Sequence, residues 1–213
     1  VECRKGRDFM TNREMIAADK LYVSEIVKNT KDYNYIIAWL LSNELPNYID
    51  QKDPVKIAIW TREIINTIKE IDPVRPVSIG DGAWAPEIIS GDNGFWLRTL
   101  NQYQDFVGLH YYPRGENQWR HTFTTAFRLR LAENWKKPVF VEEFGASTAS
   151  CSMENHAHFY RTVLYSSLIN NSFGALGWCL NDFDFENKRP YSHHPFEERF
   201  GIVKVDKTVK PAG

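Results

Sequence analysis

The 213 residues carry 26 basic and 27 acidic side chains, a formal net charge of −1, which argues against nucleic acid or an anionic membrane as a partner. Apolar content of 43% and charged content of 25% are those of an ordinary globular protein, enough for one domain or a large part of one. No segment is apolar for long enough to cross a membrane as a helix.

The chain opens at Val1 with a charged stretch, Glu2 to Asp8. It reads as a piece of a longer protein, so the compartment stays open. A helix is expected over Arg13 to Asn29, with Ile16, Leu21, Ile26 and Val27 as packing candidates. The first strand-like run, Ile36–Ser42, stops at Asn43-Glu44. Its continuous apolar character is that of a strand buried on both faces. Asp53 then offers an N-cap and Pro54 fits the first helical position. Ile57, Trp60, Ile64, Ile68 and Ile71 recur in steps of three or four as one apolar stripe, and Asp72-Pro73 ends it. A second strand run is Pro76–Gly80. Gly94 to Asn101 reads as a shorter helix.

The third run, Phe106–His110, continues into Tyr111-Tyr112-Pro113, and a helix follows from about Thr122 to Trp135. The fourth, Val139–Glu142, is followed at once by Glu143-Phe144-Gly145. A helix from Glu154 to Asn170 leads to the fifth, Ala175–Leu180, which contains Trp178. The tail from Phe200 to Val205 is a small strand or an extended closing segment. Strands whose starts lie about 30 to 40 residues apart, with helices between, are βα units with parallel pairing.

Two of these strands end in an acid, Glu44 and Glu143. The C-terminal lip of a parallel strand is where α/β folds gather their chemistry, so the two are candidates for an acid/base and nucleophile pair. Each residue alone has a structural explanation: Glu44 as a loop acid or cap before Pro46, Glu142 and Glu143 as strand-end charges, His110 as a hydrogen-bonded core histidine, Trp178 as core. Side chains alternate along a strand, so only one of Glu142 and Glu143 aims into a site. Of the remaining aromatics, Trp84, Trp96 and Trp119 lie in or beside loops, where they serve either structure or stacking on sugar. His193-His194 matches no familiar zinc spacing. Asp81 and Glu87 follow the second run without a mechanism that needs them. Cys3, Cys151 and Cys179 are too few and too scattered for a disulfide framework or zinc site, and Cys179 reads as a small buried hydrophobe.

The order of four motifs carries a resemblance. Asn43-Glu44, His110-Tyr111-Tyr112, Glu143-Phe144-Gly145 and Trp178 fall on successive strands as they do in the clan of retaining glycoside hydrolases with the (β/α)8 fold, whose members include cellulases, β-mannanases, β-galactosidases and β-glucuronidases. The run Lys137–Gly145 and the ending Glu198–Val203 with Lys210–Gly213 are most similar to the endo-β-mannanase and cellulase-like branch. The resemblance implies an α/β fold, an incomplete (β/α)8 TIM barrel holding strands 4 to 8 with their helices, with residues 1–213 forming the C-terminal portion of a glycosidase catalytic domain.

It further implies a retaining β-glycoside hydrolase acting on mannan- or glucan-type chains by double displacement. Glu143 is then the nucleophile, preferred over Glu142 because it precedes Phe-Gly, and Glu142 points outward towards a helix or makes a structural ion pair. Glu44 is the acid/base, protonated while Glu143 is an anion. Asn43 would hold the sugar 2-hydroxyl, His110 and Tyr112 would tune and hold the acids, Trp178 would form the floor, and Trp84 would add a stacking surface. No metal or organic cofactor is implied. The partner is the carbohydrate substrate, with a complementing N-terminal barrel segment or self-association as the way to complete the barrel. The alternative is a carbohydrate-binding or structural remnant without turnover; an unrelated open-sheet nucleotide-binding protein is disfavoured because no Gly-rich phosphate loop follows any strand.

Overall fold

Capping and apolar spacing fix the helices first, and the strands are threaded between them. The computed structural model describes residues 8–82, 92–113, 117–184 and 195–213, with residues 118–120 and 195 described by backbone alone. Two compact units emerge, one of Val1–Gly108 with Asn134–Pro138, the other of Leu109–Glu133 with Val139–Gly213.

In the first unit, helix α1 (Arg13–Thr30) starts where the Asn12 side chain accepts from the Glu14 and Met15 amides, satisfying two donors that a helix leaves unpaired. Helix α2 (Pro54–Ile71) is capped in the same way by Asp53, and Ile57, Trp60, Ile64 and Ile68 are all buried. Strand β1 (Trp39–Leu40) pairs in parallel with β2 (Val77–Ser78), and helix α3 is one turn, Leu97–Leu100. The stripe of α2 and the strands close a core that includes Met10, Val27, Val77, Ile79 and Phe95.

Two expectations for this unit change. Leu21 is 64% exposed and Ile26 39%; the α1 face that meets the core carries Ile16, Val23 and Val27. At 100° per residue these three share a side, and Leu21 and Ile26 fall off it. The first apolar run is also not buried on both faces: Leu40 is half exposed and Ile37 more so. Among the described residues β1 has a ladder partner on one side alone.

The second sheet has the order β3-β4-β5, with β3 (Val107–Tyr111), β4 (Val139–Phe144) and β5 (Ala175–Gly177). Strand β3 is buried throughout and β4 at every position except Glu143, as a run apolar on both faces requires. Helix α4 (Gln118–Glu133) packs on α5 (Met153–Ile169), and Phe144, Phe159, Tyr160 and Val163 lie in the core of this unit. Strand β5 shows Leu176 to solvent, and like β1 it has one neighbour in the sheet among the described residues. Cys179 is half-buried rather than a core hydrophobe, its thiol directed at the Asn181 carbonyl.

The tail is an extended segment that bridges at Val203 to both Asn181 and Val209. Its anchor is Lys210. The ammonium is buried and donates to Asp182 Oδ1 at 2.8 Å, Thr148 Oγ1 at 3.0 Å and the Arg199 carbonyl at 3.0 Å, so all three of its protons are used.

Candidate active site

Glu44 belongs to the first unit. Four residues beyond the end of β1, Glu44 turns into the left-handed region (φ 50°, ψ 38°) and starts a single 3-10 turn, Leu45–Asn47, with Pro46 inside it. Its amide still donates to the Gly80 carbonyl at 2.8 Å, so the end of β2 holds the turn. Gly80 has φ 69°, and a Cβ there would collide with the Ser42 carbonyl; glycine is what allows the two strand ends this close. Asn47 Nδ2 donates to Glu44 Oε2 at 3.0 Å. A non-glycine residue held in the left-handed region costs on the order of 1 kcal/mol or more and is enriched at functional positions. Asn43, beside it, is exposed.

The second acid sits in a built environment within the second unit. Alternation along β3 sends Tyr111 into the core against Phe159, with ring centroids 5.6 Å apart, and turns His110 and Tyr112 the other way. The Tyr112 hydroxyl donates to Glu143 Oε2 at 2.5 Å, a short, charge-assisted bond. His110 Nδ1 lies 3.6 Å from the same oxygen. The Tyr112 ring is held edge-on by Phe200, centroids 5.5 Å apart.

Gly145 makes the close approach possible, since a Cβ there would strike the Trp178 carbonyl, the Phe200 ring and the Tyr112 ring. The Trp178 amide donates to the Phe144 carbonyl at 2.7 Å, and the Tyr160 hydroxyl donates to the Trp178 carbonyl at 3.2 Å. Trp178, followed by a cis peptide bond to Cys179, is 39% exposed. Part of this residue is thus open to solvent just beyond the end of β5, the strand that pairs with β4.

Glu142 is not directed to solvent. Between Val141 and Phe144, β4 carries one residue more than β5 carries between Ala175 and Gly177. Such a bulge re-aims side chains that strict alternation would send to opposite faces. Glu142 Oε2 comes within 3.4 Å of His110 Nε2, with both side chains 1% exposed, so of the two readings for Glu142 the ion-pair geometry is the one adopted.

The structure therefore brings His110, Tyr112 and Glu143 together, places Trp178 on the adjoining strand, and leaves Glu44 with Asn43 in the other unit. Trp84 and Glu87 lie outside the described residues, as do His193, His194 and the side chain of Trp119. Asp81 is buried. Trp96 is a structural residue: its indole N–H bonds Asp92 and the Arg98 guanidinium sits 3.2 Å from its ring centroid. Sequence reasoning missed Arg128, whose guanidinium donates to the His110 carbonyl at 3.3 Å. Nothing in its helix distinguishes it from the other arginines.

Parallel strand pairs joined through helices, with acids at strand ends, define a (β/α)8-type fold of which this chain carries part. Comparison with known proteins bears this out. The family described as Cellulase (glycosyl hydrolase family 5) matches residues 5–184, and the chain belongs to that family. A probable mannan endo-1,4-β-mannosidase A from Aspergillus flavus is 26% identical over 189 residues, 82% of this chain and 46% of that protein. A probable mannan endo-1,4-β-mannosidase C from Aspergillus terreus is 30% identical over 175 residues, 69% of this chain and 41% of that protein.

The chain spans less than half the length of these curated relatives. Among solved structures, an exo-β-1,4-mannosidase from Opitutaceae bacterium strain TAV5 superposes with a TM-score of 0.84 at 21% identity, over 98% of this chain and 40% of that one. An endo-β-1,4-mannanase from Thermotoga petrophila does so with a TM-score of 0.69 at 20% identity, over 96% of this chain and 49% of that one.

Proposed function

We propose that residues 1–213 are the C-terminal portion of the catalytic barrel of a retaining β-glycoside hydrolase acting on β-1,4-linked mannan-type chains. The observation that carries this is the Glu143 carboxylate, held near the end of β4 by the Tyr112 hydroxyl. A nucleophile needs one oxygen fixed by a donor and the other left for attack. The names of the relatives, mannan endo-1,4-β-mannosidases, supply the sugar and the linkage.

In this reading Glu143 attacks the anomeric carbon and Glu44 protonates the departing glycosidic oxygen. The covalent ester is then opened by water whose proton returns to Glu44. Retention requires two such carboxyls about 5 Å apart across the sugar. Asn43 would hold the 2-hydroxyl, and the face of Trp178 would carry the reacting ring. The partner is the polysaccharide, and the barrel would be completed by a segment N-terminal to these residues or by a second copy of the chain.

Hydrolysis of β-mannan, β-glucan and aryl β-mannosides by the purified chain, alone and joined to the N-terminal half of a relative, is the test. Glu143→Ala is expected to lower kcat by about 10⁴-fold or more, as loss of a nucleophile does. Sugar binding that survives in Glu143→Ala and Glu44→Ala, with no hydrolysis by any form, would make the chain a carbohydrate-binding remnant instead.

A further inference from the structure

Glu142 is a buried carboxylate that the mechanism above does not use. Its side chain is 1% exposed, and among the described residues neither of its oxygens has a hydrogen-bond partner. A buried ionised carboxylate without compensation is expensive, and such a group neutralises or finds a cation. What faces it is His110 Nε2, at 3.4 Å, while the other ring nitrogen of the same histidine faces Glu143 Oε2 at 3.6 Å. A neutral imidazole has one N–H and one lone pair. Set between two carboxylates, it would turn that lone pair on one of them. An imidazole with protons on both nitrogens turns a donor to each.

We propose that Glu142 is a positioning residue that keeps His110 doubly protonated, so that an imidazolium N–H faces the Glu143 carboxylate. The proposal rests on the reading of Glu143 as nucleophile and extends it to a residue outside the reacting pair. Among the described residues of this unit, the charged and titratable groups set around His110 include Glu143 on β4, Tyr112 beyond the end of its own strand, and Arg128 on α4, which reaches the His110 carbonyl. Glu44 is a further group that the proposed mechanism would bring opposite Glu143.

The consequence falls mainly on the second half of the reaction. There the water oxygen bonds to the anomeric carbon, the bond from that carbon to Glu143 breaks, and the electron pair returns to the Glu143 oxygen as negative charge. An imidazolium already in place meets that charge without reorganisation, which is how fixed electrostatics lower a barrier. The bulge in β4 is what lets two adjacent acids share one histidine.

The experiment is nitrogen-15 NMR of the histidine-labelled chain against pH, with His110 assigned by the signal absent from His110→Asn. Wild type is expected to keep protons on both His110 nitrogens at pH 7.5. In Glu142→Gln, of the same shape, the titration midpoint of His110 is expected to fall by at least one pH unit, and in Glu142→Asp, which keeps the charge, by less. In the active, completed barrel, Glu142→Gln should lower kcat at least 10-fold at pH 7.5 with KM little changed, recovering as the pH is lowered.

A singly protonated His110 in wild type at pH 7, or an unchanged midpoint in Glu142→Gln, overturns the proposal. The wild-type titration decides it even where a variant fails to fold. Absence of hydrolysis overturns the functional reading and leaves the NMR result to judge Glu142 by itself.

Discussion

The Tyr112 hydroxyl donates a hydrogen bond to the Glu143 carboxylate at 2.5 Å, and its ring is fixed by Phe200. A hydrogen bond to a charged group contributes about 1.5–3 kcal/mol. Tyr112→Phe keeps the ring, so kcat in the completed barrel is expected to fall roughly 10- to 100-fold while the thermal midpoint moves little. Steady-state kinetics beside a melting curve check both halves of that statement. His110, Tyr112 and Glu143 were singled out in the sequence by the order of the motifs and not by any one residue, and alternation explains why His110 and Tyr112 share a face. Glu142 was legible in kind and not in place. Adjacent acids should diverge, and it takes the extra residue in β4, which no spacing announces, to turn both towards one histidine.

Among the elements, the turn between α2 and β2 is held by Asp72. Burial pushes its carboxyl up, but hydrogen bonds from the Arg75 guanidinium, the Trp39 indole and the Arg75 and Val74 amides outweigh it and hold the pKa at about 2. Since the folded value lies below the ordinary one near ~3.9, the contribution is complete above the unfolded pKa. It is lost as the pH falls through the folded value. Asp72→Asn should therefore narrow the stability gap to wild type as urea melts are moved from pH 6 towards pH 2. A gap independent of pH would assign the effect to packing. Gly145 is the second such point: Gly145→Ala forces a Cβ against Trp178, Phe200 and Tyr112, and overpacking of this kind costs about 1–3 kcal/mol. Helix α4 starts four residues before its expected start at Thr122, and α3 fills only Leu97–Leu100 of its expected span. Helices α1, α2 and α5 were read from sequence almost to the residue, for capping by residues such as Asp53 is local chemistry. Which face of α1 meets the core was not, because Leu21 and Ile26 are as apolar as Ile16 and Val27 and the core alone chooses between them.

For the molecule as a whole, β1, expected to be buried on both faces, shows Leu40 to solvent, and β5 shows Leu176. An apolar run in sequence records that a strand has neighbours without saying which polypeptide supplies them. Stability across pH also has a component near neutrality. Burial and the charge of Lys210 hold the His156 pKa below its usual range, which favours the neutral ring in the fold. Its contribution is present above about pH 6.5 and is lost as the pH falls through the depressed folded value. His156→Gln is expected to flatten the decline in thermal midpoint between pH 7 and 5, read by calorimetry.

The fastening of Lys210 has a consequence for how the chain comes into being. Asp182 is buried against an ammonium that is translated 28 residues after it. At about 5–20 residues per second, that carboxylate waits roughly one to six seconds for its counter-charge. Until then it stays hydrated, or sits in the fold as an unmatched anion, which costs about 3–5 kcal/mol where a buried pair is broken. The second unit therefore reaches its final stability after synthesis has passed Lys210, and a ribosome stalled just short of that codon should display a unit that proteases still cut.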